Sequence, residues 1–441
     1  MGIANIVFLV VLAAAVLVFA SNIRKLVRNI NLGKDEQRND RKGERWATMA
    51  RVALGQSKMV VRPVPGILHV LVYAGFVIIN IEVLEIVIDG VFGTHRVFAF
   101  LGGFYDLLIA SFEVLALLVL VACVIFLIRR EGLRLQRFWG KEMAGWPRSD
   151  ASIILVMEIL LMGAFLKLNA TDQVLAARGV GHYIVAGSYP VSTWLRPFFE
   201  GMSDGTLIAF ERTYWWFHIV GILAFLNYLP YSKHLHILLA FPNTWYSKLK
   251  PKTEIANMER VTGEVRSMMD LSIAPPEPSP ARIVAGVEVP ERFGAKDIFD
   301  LSWKSLMDAF SCTECGRCTS ECPANLTGKL LSPRKIMMDT RDRAAEIGKA
   351  IDKNGKWEDD GNSLHSRITE EELWACTTCN ACTQACPVNI DPVNIIMEMR
   401  RYLVMEESKT RPALTGMFNN VENNGAPWAF GSDKRMEWTE S

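Results

Sequence analysis

Eight of the nine cysteines fall into two short runs that share one spacing. The runs are Cys312-x-x-Cys315-x-x-Cys318-x-x-x-Cys322-Pro323 and Cys376-x-x-Cys379-x-x-Cys382-x-x-x-Cys386-Pro387. Proteins that hold two [4Fe–4S] clusters use this C-x₂-C-x₂-C-x₃-C-P spacing. Three close thiolates bind three irons of one cluster, and the fourth cysteine of each run reaches the other cluster.

Crossed ligation assigns the eight thiols to two sets. One cluster is predicted on Cys312, Cys315, Cys318 and Cys386. The other is predicted on Cys376, Cys379, Cys382 and Cys322. Zinc is the alternative, but it needs only four ligands and no proline, so two complete copies of the run disfavour it. The ninth cysteine, Cys123, lies in an apolar stretch and is predicted to be a small buried side chain.

Composition narrows the class of protein further. Clustered cysteines in a chain of 441 residues indicate metal binding in a reducing compartment, not a disulfide scaffold. The net charge is +1, and no basic segment is interleaved with aromatic residues, so nucleic acid is not predicted as a partner. The sequence also lacks a G-x-G-x-x-G run or a P-loop that would indicate a flavin or nucleotide site.

Five apolar stretches precede the cysteine runs, each near the ~20 residues that a membrane-spanning helix needs. They cover residues 3–20, 66–88, 105–128, 151–170 and 213–240. Segments 21–65 and 129–150 carry eleven and six Lys or Arg, whereas the two remaining loops carry one and three. The positive-inside rule then places the N-terminus, as an uncleaved anchor, outside a bacterial or archaeal cytoplasmic membrane. The part after about residue 241 is predicted to be cytoplasmic.

Histidines within these stretches are spaced to ligate a haem. His218 and His236 are 18 residues apart, so one continuous helix would place them on one face, about 27 Å from each other. His69 lies one turn into the second stretch, at the depth of His236. Six-coordinate haem b requires two imidazoles at one depth, so His69 and His236 are predicted to bind it at the inner side. The alternative is that each is a buried histidine with ordinary partners.

The segment Pro230-Tyr-Ser-Lys-His-Leu-His236, together with His218 and His69, resembles the haem-b gamma subunit of respiratory nitrate reductases. The resemblance implies a five-helix transmembrane haem-b bundle. A second histidine that this family has on helix two is Ile79 here, so only one haem is carried over. His218 and Glu82 are then predicted to serve a second haem or a quinone site. Lys233 and His234 are predicted to lie near the haem propionates.

The second half is predicted to be an all-α ferredoxin domain with two [4Fe–4S] clusters. Helices are predicted over residues 332–347, 370–375 and 392–405, the first because Ser332-Pro333 forms an N-cap and first-position pair. The region resembles the ferredoxin module of heterodisulfide reductase C-type subunits and of succinate dehydrogenase iron–sulfur subunits. The predicted fold is mainly α, with a membrane domain at 1–245, a cytoplasmic Pro-rich linker at 246–296, the ferredoxin domain at 297–410 and a docking tail at 411–441.

Residues 418–438 resemble the segment that follows this module in fused heterodisulfide-reductase-related proteins. Those include membrane oxidoreductases that accept electrons from electron-transfer flavoprotein. In that family a domain with two CCG-type cysteine motifs comes next, whereas here no cysteine follows Cys386. The resemblance implies a separate CCG-domain subunit, similar to heterodisulfide reductase B, that docks on the tail. A disordered terminus is the alternative.

These resemblances imply a membrane-bound electron-transfer subunit of a quinone-linked oxidoreductase. Electrons would pass from a cytoplasmic donor, with electron-transfer flavoprotein favoured, through two clusters and haem b to membrane quinone. One alternative runs the other way, oxidising quinol to reduce a heterodisulfide or sulfur compound. A third interpretation is a redox-sensing transporter or proton channel with Glu82, Glu113 and Glu158 along its path. No catalytic residue can be named from the sequence.

Overall fold

The computed structural model describes residues 2–277 and 280–440, which are mainly helical, as the sequence predicts. The first half contains helices α1 Ile3–Ile30, α2 Lys42–Met49, α3 Pro63–Phe92, α4 Gly103–Leu127 and α5 Trp146–Ala177. Within the described residues, α1, α3, α4 and α5 are the four helices long and apolar enough to cross a membrane.

The fifth predicted span, residues 213–240, is not one helix, and the prediction is wrong in this respect. Helix α6 Asp204–Tyr228 ends just before Pro230, two short 3₁₀ turns follow, and α7 runs from His236 to Trp245. Proline interrupts the helix because it has no N–H to donate to the preceding turn. His218 and His236 therefore lie on different helices, and the argument from five turns of one helix does not apply.

Helix α1 continues past the predicted end at residue 20 and joins the two halves of the protein. Leu26 and Ile30 of its last turns, with Leu32 beyond them, are buried in the same hydrophobic core as the cysteine-rich domain. Gly33 follows at a close backbone contact, where an added Cβ would lie 2.6 Å from the Trp303 nitrogen. The side chain of Arg282 reaches the same segment and donates to the carbonyl of Leu32 at 3.2 Å.

Short helices surround the two cysteine runs. They are α9 Trp303–Phe310, α10 Arg317–Ser320, α11 Pro323–Leu326, α12 Pro333–Asn354, α13 Glu370–Ala375, α14 Ala381–Ala385, α15 Pro392–Met405 and α16 Pro412–Asn424. The three predicted helices are confirmed, and the first extends beyond residue 347 to Asn354. The Ser332 hydroxyl accepts from the Lys335 N–H at 3.4 Å, and Thr369 forms a capping box with Glu372.

The predicted linker is partly folded. It contains α8 Glu259–Met269 and an antiparallel hairpin of β1 Arg282–Val284 and β2 Val287–Val289. Ala285 and Gly286 both have positive φ, of 52° and 78°, as the two central residues of a type I′ hairpin turn require. Of the Pro-rich segment 274–281, positions 278 and 279 lie outside the described residues.

A buried ion pair fixes the cysteine-rich domain against the loop between α4 and α5. The guanidinium of Arg334, 1% exposed, lies 2.6 Å from the Glu142 carboxylate and also donates to the Arg137 carbonyl at 2.5 Å. Burial of the Glu142 carboxyl alone would raise its pKa, but the charge and hydrogen bonds of Arg334 hold that pKa below its ordinary value. The pair therefore holds together surfaces that come from the two halves.

Replacing Arg334 with Met is expected to destabilise the protein by about 3–5 kcal/mol, because it leaves the Glu142 carboxylate buried without its partner. The measurement is the thermal midpoint of loss of the iron–sulfur absorbance. The double variant Arg334→Met/Glu142→Leu is the control, and we expect it to recover part of the loss because no unpaired charge remains. A single variant with the wild-type midpoint would contradict the prediction.

Candidate redox site

Both cysteine runs fold into the same turn. Glu314 and Thr378 occupy equivalent positions and share a left-handed conformation, with φ of 54° at each. Gly316 and Asn380, two residues further on, are also left-handed, with φ of 72° and 59°. Such turns direct successive backbone N–H groups into one concavity, which suits the sulfides of an iron–sulfur cluster.

The first predicted ligand set converges on one small cavity. Cys312, Cys315, Cys318 and Cys386 all line it, although Cys386 comes from the second run. Burial raises the pKa of the Cys318 thiol, and the nearby Cys312, Cys315 and Cys386 raise it further. The Ile390 N–H donates to the Cys386 sulfur at 3.3 Å. Four thiols around one concavity fit the donor set of a [4Fe–4S] cluster, which would deprotonate them on binding.

The second predicted set shows the reciprocal arrangement. Burial raises the pKa of the Cys376 thiol, and Cys322 of the first run and Cys379 contribute in the same direction. The Thr378 N–H donates to the Cys376 sulfur at 3.4 Å. Cys379 is exposed, whereas Cys322 and Cys382 are buried. The fourth cysteine of each run thus lies beside the other run, as crossed ligation requires.

A cavity of about 400 Å³ extends from the first cysteine turn into the helices of the membrane half. Its walls are mostly apolar, and four histidines line it. These are His69, His218, His234 and His236. Thr313, Glu314 and Cys315 line its cysteine-side end, so the first ligand set and the histidines border one space.

His69 and His236 face each other with ring centroids 6.2 Å apart. Two imidazoles that each coordinate one iron at about 2 Å would have centroids roughly 6 Å apart. The His236 Nδ1 lies 3.1 Å from the Lys233 carbonyl oxygen, and a carbonyl can only accept, so Nδ1 carries the proton. The His236 Nε2 lone pair is then free, as an iron ligand requires. The His69 Nδ1 is buried without a hydrogen-bond partner among the described residues. The two residues therefore fit the pair of imidazole donors that would hold a haem b iron.

Lys233 and His234, the residues predicted to lie near the haem propionates, both contact protein groups. The Lys233 ammonium donates to the Pro147 carbonyl and the Glu314 carboxylate, so protein groups already pair it. The His234 ring lies 5.3 Å from that of His236. On a regular α-helix, side chains two residues apart point in different directions, but here a 3₁₀ turn precedes His236 and brings the two rings together.

His218 and Glu82 are not brought together at this cavity. His218 is 1% exposed and lines the cavity, and its Nδ1 lies 3.1 Å from the Leu161 carbonyl. Glu82 lies instead in a buried polar cluster, with a carboxylate oxygen 3.7 Å from Arg96. Arg96 also pairs with Asp172 at 2.8 Å. The pairing of His218 with Glu82 in one quinone or haem site thus gains no support.

Sequence reasoning missed two features of the membrane half. The His95 Nε2 lies 3.1 Å from the largely buried Asp172 carboxylate, a partner that sequence reasoning did not identify. The adjacent charges His95-Arg96, directly after an apolar helix, were the available signal. Glu158 was assigned to a channel path, but it lines the cavity of the four histidines.

Comparison with known proteins supports the iron–sulfur assignment. Residues 311–390 match the family of 4Fe–4S dicluster domains. The chain is 27% identical over 465 residues to the "Probable iron-sulfur-binding oxidoreductase FadF" of Bacillus subtilis (strain 168), covering 99% of this chain and 60% of that protein. It is 27% identical over 465 residues to the "EtfAB:quinone oxidoreductase" of Syntrophomonas wolfei subsp. wolfei, covering 98% and 59%. The chain thus spans about 60% of the length of these relatives.

The cysteine-rich half has a further similarity, to the C-type subunit of the ferredoxin/F(420)H(2)-dependent CoB-CoM heterodisulfide reductase of Methanosarcina acetivorans. The two are 33% identical over 101 residues, which cover 23% of this chain and 49% of that protein. No solved structure matches the chain. The chain is therefore an iron–sulfur protein of the electron-transfer class, related to oxidoreductases and to the C-type subunits of heterodisulfide reductases.

Proposed function

We propose that the chain carries electrons between a cytoplasmic donor and membrane quinone through two [4Fe–4S] clusters and one haem b. The observation that carries the proposal is that Cys315 lines the same cavity as His69 and His236. The bound clusters and haem supply one-electron carriers. The chain would hold their ligands at adjoining positions of one mostly apolar cavity.

Hydrogen bonds through Glu314 and Lys233 connect the first cysteine run with His236. Glu314 lies between Cys312 and Cys315, and its carboxylate accepts from the Lys233 ammonium. The Lys233 carbonyl accepts in turn from His236. Arg341 pairs with the other Glu314 oxygen at 2.7 Å. Burial opposes ionisation of Glu314, yet Lys233 and Arg341 hold its pKa below the ordinary value, so the link stays ionic.

The two cysteine sets differ in exposure, which suggests the order in which electrons pass through the two clusters. Cys312 and Cys386 are buried and Cys315 borders the histidine cavity, whereas Cys379 of the second set is exposed. We assign the second set to the surface where a soluble donor reaches the protein, and the first set to the haem side. This order needs no rearrangement of the domain.

The cytoplasmic location of the cysteine-rich domain is part of the proposal. The positively charged segments expected inside are the ones that contact it. Lys58 donates to the Cys386 carbonyl at 3.1 Å, and Arg62 donates to the Ser320 hydroxyl at 3.0 Å. With the loop charges, these contacts support an inner, cytoplasmic position for the clusters and an outer N-terminus.

Electron-transfer flavoprotein is the donor we favour, because a relative that spans nearly the whole chain is named EtfAB:quinone oxidoreductase. Anaerobic mixing of the purified protein with reduced flavoprotein should reduce the haem, observed as a rise in its α-band absorbance. Cys379→Ala is the matched variant, and we expect it to slow this reduction while dithionite still reduces the haem. Absence of haem reduction in the wild-type protein would reject this donor.

A second candidate function reverses the flow, with quinol as the donor and a heterodisulfide or sulfur compound as the acceptor. Similarity to the C-type subunit of a heterodisulfide reductase favours it. In either direction we propose a CCG-domain partner subunit on residues 411–440. Phe418, Val421, Trp428 and Phe430 of this segment are exposed apolar side chains that such a subunit would cover.

The transporter or proton-channel interpretation has less support. Glu113 is fully buried and accepts hydrogen bonds from the N–H groups of Val191 and Ser192 at 2.9 and 3.0 Å and from Asn169 at 3.1 Å. Glu82 faces Arg96. Glu158 lines the cavity of the four histidines, whereas Glu82 and Glu113 do not. Asn169 and Arg96 connect Glu113 with Glu82, but Glu158 lies outside this network, so the three carboxylates do not form one continuous path.

A further inference from the structure

His218 and Glu158 line the cavity, and the haem assignment uses neither of them. His218 is held through its Nδ1, which lies 3.1 Å from the Leu161 carbonyl oxygen. Because the carbonyl accepts, Nδ1 carries the proton of the neutral ring and Nε2 keeps a free lone pair. No hydrogen-bond partner of this Nε2 occurs among the described residues.

Glu158 is the second group. It lines the same cavity and has neither a hydrogen bond nor an ion pair within residues 2–277 and 280–440. It lies three residues before Leu161 on α5, so it sits about one helical turn, roughly 5 Å, from the carbonyl that holds His218. An unpaired carboxyl in a membrane interior is costly, which is typical of a functional group.

Exposed residues of α3 form one wall of the cavity. Phe76 and Asn80 line it, and both side chains are exposed. Their neighbours Val77, Ile81 and Leu84 are exposed apolar side chains. A ligand that enters here must be soluble in lipid, flat enough for a gap between helices, and polar at two points.

His218 is also poorly placed for a second six-coordinate haem. Phe225 lies seven residues after His218 on α6, which is about 10 Å along the helix axis. The His234 ring contacts Phe225, with ring centroids 5.2 Å apart, so His234 lies well away from His218 along the cavity. The other imidazoles that line the cavity are thus at its far end. Ile79 also lines the cavity, but its side chain has no atom that could ligate a haem iron.

We propose that His218 and Glu158 bind the two oxygens of a quinone headgroup, an inference that rests on the proposed quinone-linked function. The His218 Nε2 accepts from one quinol hydroxyl and the Glu158 carboxylate accepts from the other. When quinol is oxidised, two O–H bonds break, the two protons pass to His218 and Glu158, and two electrons leave to the one-electron carriers. Quinone reduction by the cytoplasmic donor returns both protons and both electrons.

The test uses the full-length protein in lipid nanodiscs with menadiol, a naphthoquinol, as reductant and a hydroxyquinoline N-oxide as a fluorescent headgroup probe. We expect Glu158→Gln to slow haem reduction by menadiol about 100-fold, in line with loss of a proton acceptor. We expect His218→Gln to raise the Kd of the probe at least about tenfold, the effect of losing one strong hydrogen bond. Glu200→Gln, which changes an exposed carboxylate that does not line the cavity, should keep both values.

Each outcome separates this inference from the function on which it rests. If menadiol fails to reduce the haem of the wild-type protein while dithionite succeeds, the quinone-linked function is wrong. If the wild-type protein reacts but both variants keep its rate and Kd, this site is wrong. If His218→Gln lowers a haem content of two per chain to one, His218 is a haem ligand and the site is also wrong.

Discussion

Chains with either His69→Ala or His236→Ala should lack the low-spin haem spectrum of the wild-type protein. In the proposed assignment each imidazole would hold the haem iron from one side, and the 6.2 Å between their ring centroids leaves room for one iron. Removing either ligand leaves a five-coordinate, high-spin or lost haem, because the walls around the pair are mostly apolar. Optical spectra of the reduced protein and haem quantified as its pyridine complex measure the change.

His234 provides the matched control. Its ring lies 5.3 Å from that of His236 and borders the same cavity, so His234→Gln tests whether any nearby imidazole matters. We expect this variant to keep a low-spin spectrum and full haem content. Normal haem content in both alanine variants would show that the ligand assignment is wrong. Loss of the spectrum in His234→Gln alone would transfer the axial position to His234.

The cysteine half could be predicted in detail because its signals are local. The spacing of the runs fixes which thiols lie on one turn, and Ser332 and Thr369 mark helix starts through their own side chains. The helices 370–375 and 392–405 have the predicted bounds. The motif also predicts that Cys322 and Cys386 reach the opposite run, and each thiol lies beside that run.

The membrane half was predicted less well because hydropathy does not report backbone breaks or side-chain partners. Pro230 was visible, yet the apolar residues on both sides of it favoured one continuous helix over 213–240. The break at Tyr228 places His236 on a separate helix and brings His234 beside it. His69 and His236 are adjacent all the same, although the depth predicted for His236 relied on one continuous helix from His218.

The carboxylates in the apolar helices also show that hydropathy does not report side-chain partners. Glu82, Glu113 and Glu158 are indistinguishable in a hydropathy profile, since each is an acid within a largely apolar helix. Their roles differ only through partners on other segments, such as Arg96 for Glu82 and Ser192 for Glu113. Glu158 stands apart because no such partner faces it among the described residues, a fact that requires three-dimensional packing.

Cys386→Ala should damage the cluster built on the first cysteine run and spare the cluster of its own sequence neighbours. Cys386 lines the small cavity of Cys312, Cys315 and Cys318, and a [4Fe–4S] cluster with one thiolate missing loses iron or converts to a three-iron form. Since Cys315 also borders the histidine cavity, haem reduction by a cytoplasmic donor should be almost abolished. EPR of the reduced protein and iron analysis measure the damage.

Cys322→Ala is the reciprocal variant, and it should damage the cluster of Cys376, Cys379 and Cys382 instead. The two variants are matched in burial, since both thiols are buried, and in position within their runs. Cys123→Ala, a buried cysteine outside both runs, should keep both EPR signals. If Cys386→Ala instead removed the signal that Cys376→Ala removes, each run would hold its own cluster. The link from the first run to the histidine cavity would then depend on Cys315 without its crossed partner.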